Sequence, residues 1–314
     1  MENLLDLYTD YLLATPKQAT CTGLSGVLRG QVSHDRFTRL LSSGRLDSKR
    51  VWKQAKPLVK EMVDSSGCVV VGIHDTIQVK PHSRENELNC WHYDHTKGQT
   101  VKGINFLSAV LTTGELTTPI AVEFVHKSQR VVDEQGQLRR RSPVTKNELF
   151  RQMLRQCWQN TRFDYVTADS WFSSKENMRF ITNTLHREFV MAVKSNRVAA
   201  VSQADRQAGC WHSIKTLAGQ DRPLKVWLRG MDDPVLLLKQ VFKNEDGSQG
   251  GRYLVASDLT LSASRMIGIY QKRWKTEEYH KSIKQCSSLG GLSCSYAGDS
   301  TSSLHSCNHQ LCET

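Results

Sequence analysis

The sequence predicts an α/β protein in which a mixed sheet is flanked by helices and preceded by a small helical segment. Three observations predict this class. A β-branched run, CVVVGIHDT, begins at Cys68 and ends in an acidic stretch at Asp75, as a buried strand does. Two further strand-like runs, INFLSAVLTTG and LTTPIAVEFVHK, meet at Gly114-Glu115 and read as a hairpin beside the first. The stretch 143–160, with ELFRQMLRQCW at helical spacing, leads into FDYVTADSW, a strand that ends in Asp169. Together these give a β-β-β-α-β order.

The remaining elements follow along the chain. Residues 2–13 and 47–64 carry apolar side chains at helical spacing, and Ser33 is placed to N-cap HDRFTRLLSS after a turn at Gly30. Two short helices about that glycine, the second bearing Arg36 and Arg39, match a helix-turn-helix, so residues 1–64 are assigned to a helical DNA-binding region. An ordinary helical subdomain with solvated arginines is the alternative. Beyond Asp169 come a helix near 174–186, a strand in REFVMAVKSN, and a strand-rich stretch with LKVWLRG, VLLLKQVF and RYLVAS. This stretch is read as a β-rich insertion at about 205–257 within a body spanning 65–285. Leu261 to Lys284 then form one helix of roughly six turns.

Composition narrows the function. The chain has 314 residues, with 42 Lys+Arg against 31 Asp+Glu, a formal charge of +11 and a pI near 9.2. Such a surface attracts a polyanion, nucleic acid first. No run approaches the roughly 18 apolar residues of a membrane span, and MENLLDLYTD is acidic where a signal peptide is basic. A cytoplasmic, nucleoid-associated protein without a membrane partner is expected. Cys21, Cys68, Cys90, Cys157 and Cys210 are scattered and read as buried or inert thiols, whereas Cys286, Cys294, Cys307 and Cys312 crowd into the end.

Asp75 and Asp169 at adjacent strand ends, with a glutamate on a late helix, form the arrangement of a ribonuclease-H-like fold. Three carboxylates within reach of one another repel unless cations intervene, so Asp75, Asp169 and Glu277 are expected to hold one or two Mg²⁺ or Mn²⁺ ions. Two ions suit in-line phosphoryl displacement. Asp94 in HYDH is a rival first carboxylate, set aside because the hydrophobic strand leads into Asp75. Glu278 lies about 100° around the helix from Glu277 and reads as solvated.

The late helix contains YQKRWKTEEYHKSIK, in which Tyr270, Arg273, Glu277 and Lys284 fit Y-x2-R-x3-E-x6-K without a gap. This resembles the insertion-sequence-four family of bacterial DDE transposases, which that YREK signature marks. The resemblance takes in the Asp75 strand, HYDHTKGQTVKGIN and TADSWFSS as well. It implies that Asp75, Asp169 and Glu277 are the metal-holding triad and that Tyr270, Arg273 and Lys284 contact the backbone of the transposon end. Trp274 and Lys281, in the same stretch, join them as candidate DNA contacts. At about 100° per residue the signature residues form one stripe, taken to face the DNA.

Other residues carry less. Trp171 is assigned to core packing, and Trp274 to packing or to stacking on an unpaired base. His74, His92 and His95 lack zinc-site spacing. Lys97, Lys102 and Arg139 to Arg141 are candidate phosphate contacts. After Lys284, QCSSLGGLSCSYAGDSTSSLHSCNHQLCET is rich in Ser and Cys and departs from the family's basic continuation, so 286–314 is expected to be irregular, as after a change of reading frame. The resulting expectation is a cut-and-paste transposase acting on double-stranded DNA at terminal inverted repeats and a target, as a homodimer. A catalytically defective DNA-binding derivative and a general ribonuclease-H-like nuclease are the competing readings.

Overall fold

The computed structural model describes residues 4–15, 19–43, 48–64, 67–95, 97–219, 222–243 and 247–286, less the side chains at 5, 13, 41–43 and 283–286. The Ser- and Cys-rich tail and the side chain of Lys284 therefore lie outside the described residues.

Three helices open the chain: α1 (Leu4–Ala14), α2 (Cys21–Val27) and α3 (His34–Ser43). They bury Tyr8, Leu12, Ala19, Leu24 and Phe37 in a small core of their own. Thr20 starts α2, its hydroxyl accepting from the Gly23 amide at 2.9 Å. Leu28 to Gly30 then turn the chain toward α3, where Arg36 and Arg39 are exposed. Helix α4 (Ser48–Asp64), expected within the same head, instead joins the body: Ala55, Val59 and Met62 enter the main core. Its first residue is fixed there because the Ser48 hydroxyl accepts from the Val122 amide at 3.2 Å and lies 2.9 Å from the Val122 carbonyl.

The body begins with β1 (Val69–Val79), β2 (Asn89–Asp94), β3 (Gln99–Thr113) and β4 (Leu116–Phe124). A small hairpin of β5 (Gln129–Val132) and β6 (Leu138–Arg141) stands apart as a two-stranded sheet. Helix α5 (Lys146–Asn160) starts where a capping box forces it to: the Thr145 hydroxyl accepts from the Glu148 amide and the Glu148 carboxylate accepts from the Thr145 amide. Then come β7 (Tyr165–Ala168), α6 (Lys175–Arg179) running into a π-helical turn at Phe180–Thr184, and β8 (Glu188–Val193). Among these, β1, β7 and β8 are mutually parallel, while β3 runs antiparallel to β1 and β4 to β3. The spatial order β4-β3-β1-β7-β8 is that of a ribonuclease-H-like sheet with helices packed on it, in line with the expected fold class.

The short β9 (Val198–Ala200), α7 (Gln203–Ala208), β10 (His212–Ser213) and α8 (Ile214–Leu217) follow. They lead to β11 (Leu224–Leu228), β12 (Val235–Lys243) and β13 (Gln249–Ala256). Strand β13 pairs with β8, so the strand-rich insertion extends the central sheet and shares its core. The expected single late helix is two: α9 (Ala263–Gln271) and α10 (Trp274–Cys286). At the junction the bonding tightens to i→i+3, with Arg273 N to Tyr270 O at 3.0 Å and Thr276 N to Arg273 O at 3.0 Å. No helix of the described residues is long and apolar enough to cross a membrane.

Candidate active site

Strand β1 also departs from expectation in length. It runs four residues past Asp75 along β3, but its parallel pairing with β7 stops at Ile73 opposite Ala168. One step further along that register puts His74 beside Asp169 and Asp75 just beyond. Both aspartates thus stand where two adjacent parallel strands part company, and both line one cavity of about 650 Å³. The strands are locked at their other end, where the Asp164 carboxylate accepts from the Val69 amide at 2.8 Å.

Each carboxylate has a cationic or potentially cationic neighbour. The Asp75 carboxylate accepts a hydrogen bond from the ammonium of Lys146, the first residue of α5. Asp169 lies 3.5 Å from His74 Nδ1, and its other oxygen accepts from the Trp171 amide at 2.9 Å. Burial works against ionising Asp169, yet His74, the Trp171 amide and the Arg273 guanidinium together hold its carboxyl below the ordinary carboxylate range. Buried Asn177 ties this corner together, donating to Asn147 Oδ1 of α5 at 2.8 Å and to the Phe172 carbonyl at 2.9 Å.

Glu277 arrives from α10. Its carboxylate accepts from Arg273 at 2.6 Å, one helical turn earlier. Burial disfavours the Arg273 charge, but Tyr270, Glu277 and Asp169 outweigh it and raise the pKa above its ordinary value. Arg273 therefore links the helix carboxylate electrostatically to the strand carboxylate. The approach depends on Gly72 in β1: a Cβ there would lie 2.6 Å from Thr276 Oγ1 and 3.6 Å from the Arg273 Cα. Buried His280 completes the contact, stacked on His74 with centroids 5.6 Å apart and edge-on to Phe106.

Two residues of the expected DNA-contacting stripe lie inward. Tyr270 and Arg273 are only 4% and 6% exposed, because α9 packs with Val70, Val190 and Leu254 and the tightened junction turns both inward. They border a second cavity of about 360 Å³, with Gln240, Phe242, Arg252 and Trp274. Trp274 is 55% exposed and Lys281 is exposed. Trp171 was expected in the core and is instead 44% exposed on the wall of the carboxylate cavity, because the Asp169 turn directs it away from the core that Phe172 enters. Its ring contacts His95 at 4.9 Å, and the Lys194 ammonium stands over it at 5.5 Å.

Other expectations sort by place. Asp94, the rival carboxylate, lines the same cavity as Asp75, as does Lys97. Glu278 pairs with Lys275 at 3.2 Å. The three histidines separate: His74 meets Asp169, His95 meets Trp171, and His92 is buried against Cys90 at 3.4 Å. Burial, with Lys127 and Lys146 nearby, pushes His92 down to about 3. Cys157 is buried and its thiol pushed up to about 12, whereas Cys210 is exposed. Sequence reasoning missed Lys146; its only signal was a position just inside a capping box, which says nothing of a carboxylate 71 residues away.

The family described as DDE superfamily endonuclease matches residues 1–212. The chain belongs to that family. The matched span of this DDE superfamily endonuclease includes Asp75 and Asp169 and ends before Glu277. No curated protein sequence matches the chain. Among solved structures it is similar to a chain of the Drosophila P element transposase strand transfer complex, at 14% identity and a TM-score of 0.25. That similarity covers 54% of this chain and 34% of the other, so the chain spans about a third of that relative's length.

Proposed function

We propose that the chain is a transposase of a bacterial insertion sequence of the insertion-sequence-four kind, cutting and joining DNA at terminal inverted repeats. The observation that carries this reading is that Asp75 and Asp169 line one cavity at the edge of a ribonuclease-H-like sheet, with Glu277 joined to Asp169 through Arg273, within a DDE superfamily endonuclease. The YREK spacing supports the finer assignment.

The donor set suits Mg²⁺ or Mn²⁺, since all three groups offer hard carboxylate oxygens and each faces a positive or potentially positive partner. Among the described residues no three His, Cys, Asp or Glu side chains are gathered tightly enough to hold an ion. Occupancy therefore requires the carboxylates to draw closer together, with the cation replacing Lys146 at Asp75 and Arg273 at Glu277. When bound, divalent cations supply activation of a water or 3′-hydroxyl and stabilise the departing oxygen. Of the chain's own residues, Asp75 and Asp169 hold the site on rigid strands, and Arg273 orients Glu277. Lys146 and Lys97 attract phosphate into the cavity, and Trp171 offers an exposed ring beside it. Trp274, Lys281 and Lys284, with Tyr270 and Arg273 through the second cavity, are the proposed contacts to end DNA, and a homodimer pairs two ends.

The test is incubation of the full chain with Mg²⁺, DNA carrying the repeats that flank its gene, and a supercoiled target. Nicking at the repeat and joining to the target are expected. Cleavage without joining would favour a general nuclease, end binding without cleavage a defective derivative, and no action on DNA would overturn the reading.

A further inference from the structure

Between β4 and α5 the chain leaves the central sheet as the β5–β6 ribbon. Its tip is wired internally. The Asp133 amide donates to the Gln137 carbonyl at 2.9 Å, and the Asp133 carboxylate accepts from the amides of Gln135 and Gln137 and pairs with Arg139. Gly136 closes the turn at a φ of +76°, which a glycine adopts without strain. At the base, Arg140 reaches Glu85 at 3.3 Å and donates to the Lys127 carbonyl at 3.4 Å. A ribbon braced at both ends is ordered before any partner arrives.

Its surface has two characters. Between 129 and 141 four arginines stand against Asp133 and Glu134. The register sets Arg130 with Arg140 and Val132 with Leu138 on one face, and Val131 with Arg139 and Gln129 with Arg141 on the other. Val132 and Leu138, paired across the tip, are 67% and 64% exposed. Arg130 and Arg141 form no ion pair with the described residues. Only residues 142–145 separate the ribbon from Lys146, whose ammonium rests on Asp75.

We propose that the ribbon is a DNA-contacting arm, its arginines lying against phosphates on both sides of a minor groove while Val132 and Leu138 wedge between base steps and kink the duplex beside the cleavage site. Charge selects the partner, since an apolar pair on a ribbon that carries arginines on both faces matches a polyanion whose stacked bases accept an apolar wedge. This rests on the transposase reading and deepens it by assigning a bend that presents the scissile strand to Asp75.

The test uses the full chain and a mixed-sequence duplex of about 30 base pairs, labelled at both ends so that bending raises energy transfer. Arg130→Ala with Arg141→Ala is expected to lower the slope of log affinity against log salt by about two. Val132→Ser with Leu138→Ser is expected to retain that slope and lose the rise in energy transfer. An unchanged slope in the first variant, or an undiminished bend in the second, overturns the proposal, provided circular dichroism matches the unaltered chain. If the arm variants are neutral and Asp75→Asn still abolishes Mg²⁺-dependent cleavage, the arm fails while the transposase reading stands. If the unaltered chain binds and bends DNA but neither cuts nor joins it, the reverse holds.

Discussion

The two halves of the candidate site are held by different kinds of force. On the strand half, backbone ladders do the placing: Asp75 sits within the β1–β3 ladder, and Asp169 follows directly on the last residue of β7 paired with β1. On the helix half, Glu277 follows Asp169 by more than a hundred residues and no ladder places it. Its position depends on a missing Cβ at Gly72, the buried Thr276 and a guanidinium shared with Asp169. A ladder tolerates surface change, because its hydrogen bonds belong to the backbone. A seated helix depends on a few side-chain contacts, and single substitutions should separate the two.

The largest effect should come from the strand half. Asp169→Asn or Asp75→Asn keeps the ladder and removes a charge, so cleavage should fall on the order of a thousandfold or more, corresponding to several kcal/mol of lost transition-state stabilisation. DNA affinity measured alongside should hold. Cleavage at the unaltered rate in either variant would remove that residue from the triad.

Gly72→Ala attacks the seating of the helix without touching a carboxylate. The new methyl would meet Thr276 at 2.6 Å, so overpacking of about 1–3 kcal/mol is expected in urea unfolding, together with reduced cleavage. Full stability with full activity would mean that α10 does not rely on this contact.

Arg273→Gln tests the charge that joins the halves. Loss of its bond to a half-solvated Glu277 should cost about 1.5 kcal/mol, the low end for hydrogen bonds to charged groups. Asp169 should also titrate higher, because a cation that lowers its pKa is gone. A carboxyl depressed in the folded state adds stability above its unfolded pKa and loses it as pH falls through the folded one, so this contribution should shrink in the variant. Carboxyl NMR of Asp169 reads the shift directly, and an unmoved titration would break the proposed link.

Trp171→Ala should have the smallest effect on folding, under about 1 kcal/mol, since the residue is 44% exposed and lies outside the main core. A thermal melt checks this. A large loss of stability would restore the core-packing assignment.

Some of this architecture was legible along the chain because it is periodic. The run from Cys68 to Thr76, the Gly114 hairpin and α5 all carry their own pattern, and their order alone implied the sheet and its two aspartates. The late helix was legible as helical but not as two helices. Nothing in YQKRWK announces a junction, since the tightening at Lys272 and Arg273 answers to β1 beneath it. The burial of Tyr270 and Arg273 was hidden for the same reason: angular position on a helix says which residues share a face, but not whether that face meets solvent or Val70.

What the sequence by itself determined is the order of most of the elements, the basic charge that suits a polyanion, and the candidate carboxylates Asp75 in a strand, Asp169 at a strand end and Glu277 in a helix. These follow from local spacing and composition, which a short window of chain expresses without its neighbours. Only the tertiary structure decided that Lys146 rests on Asp75, that Arg273 is buried between Glu277 and Asp169, that Trp171 faces the cavity, and that β11 to β13 extend the main sheet. Each of these pairs residues far apart in sequence, and such pairings are chosen by the closest packing of the whole core.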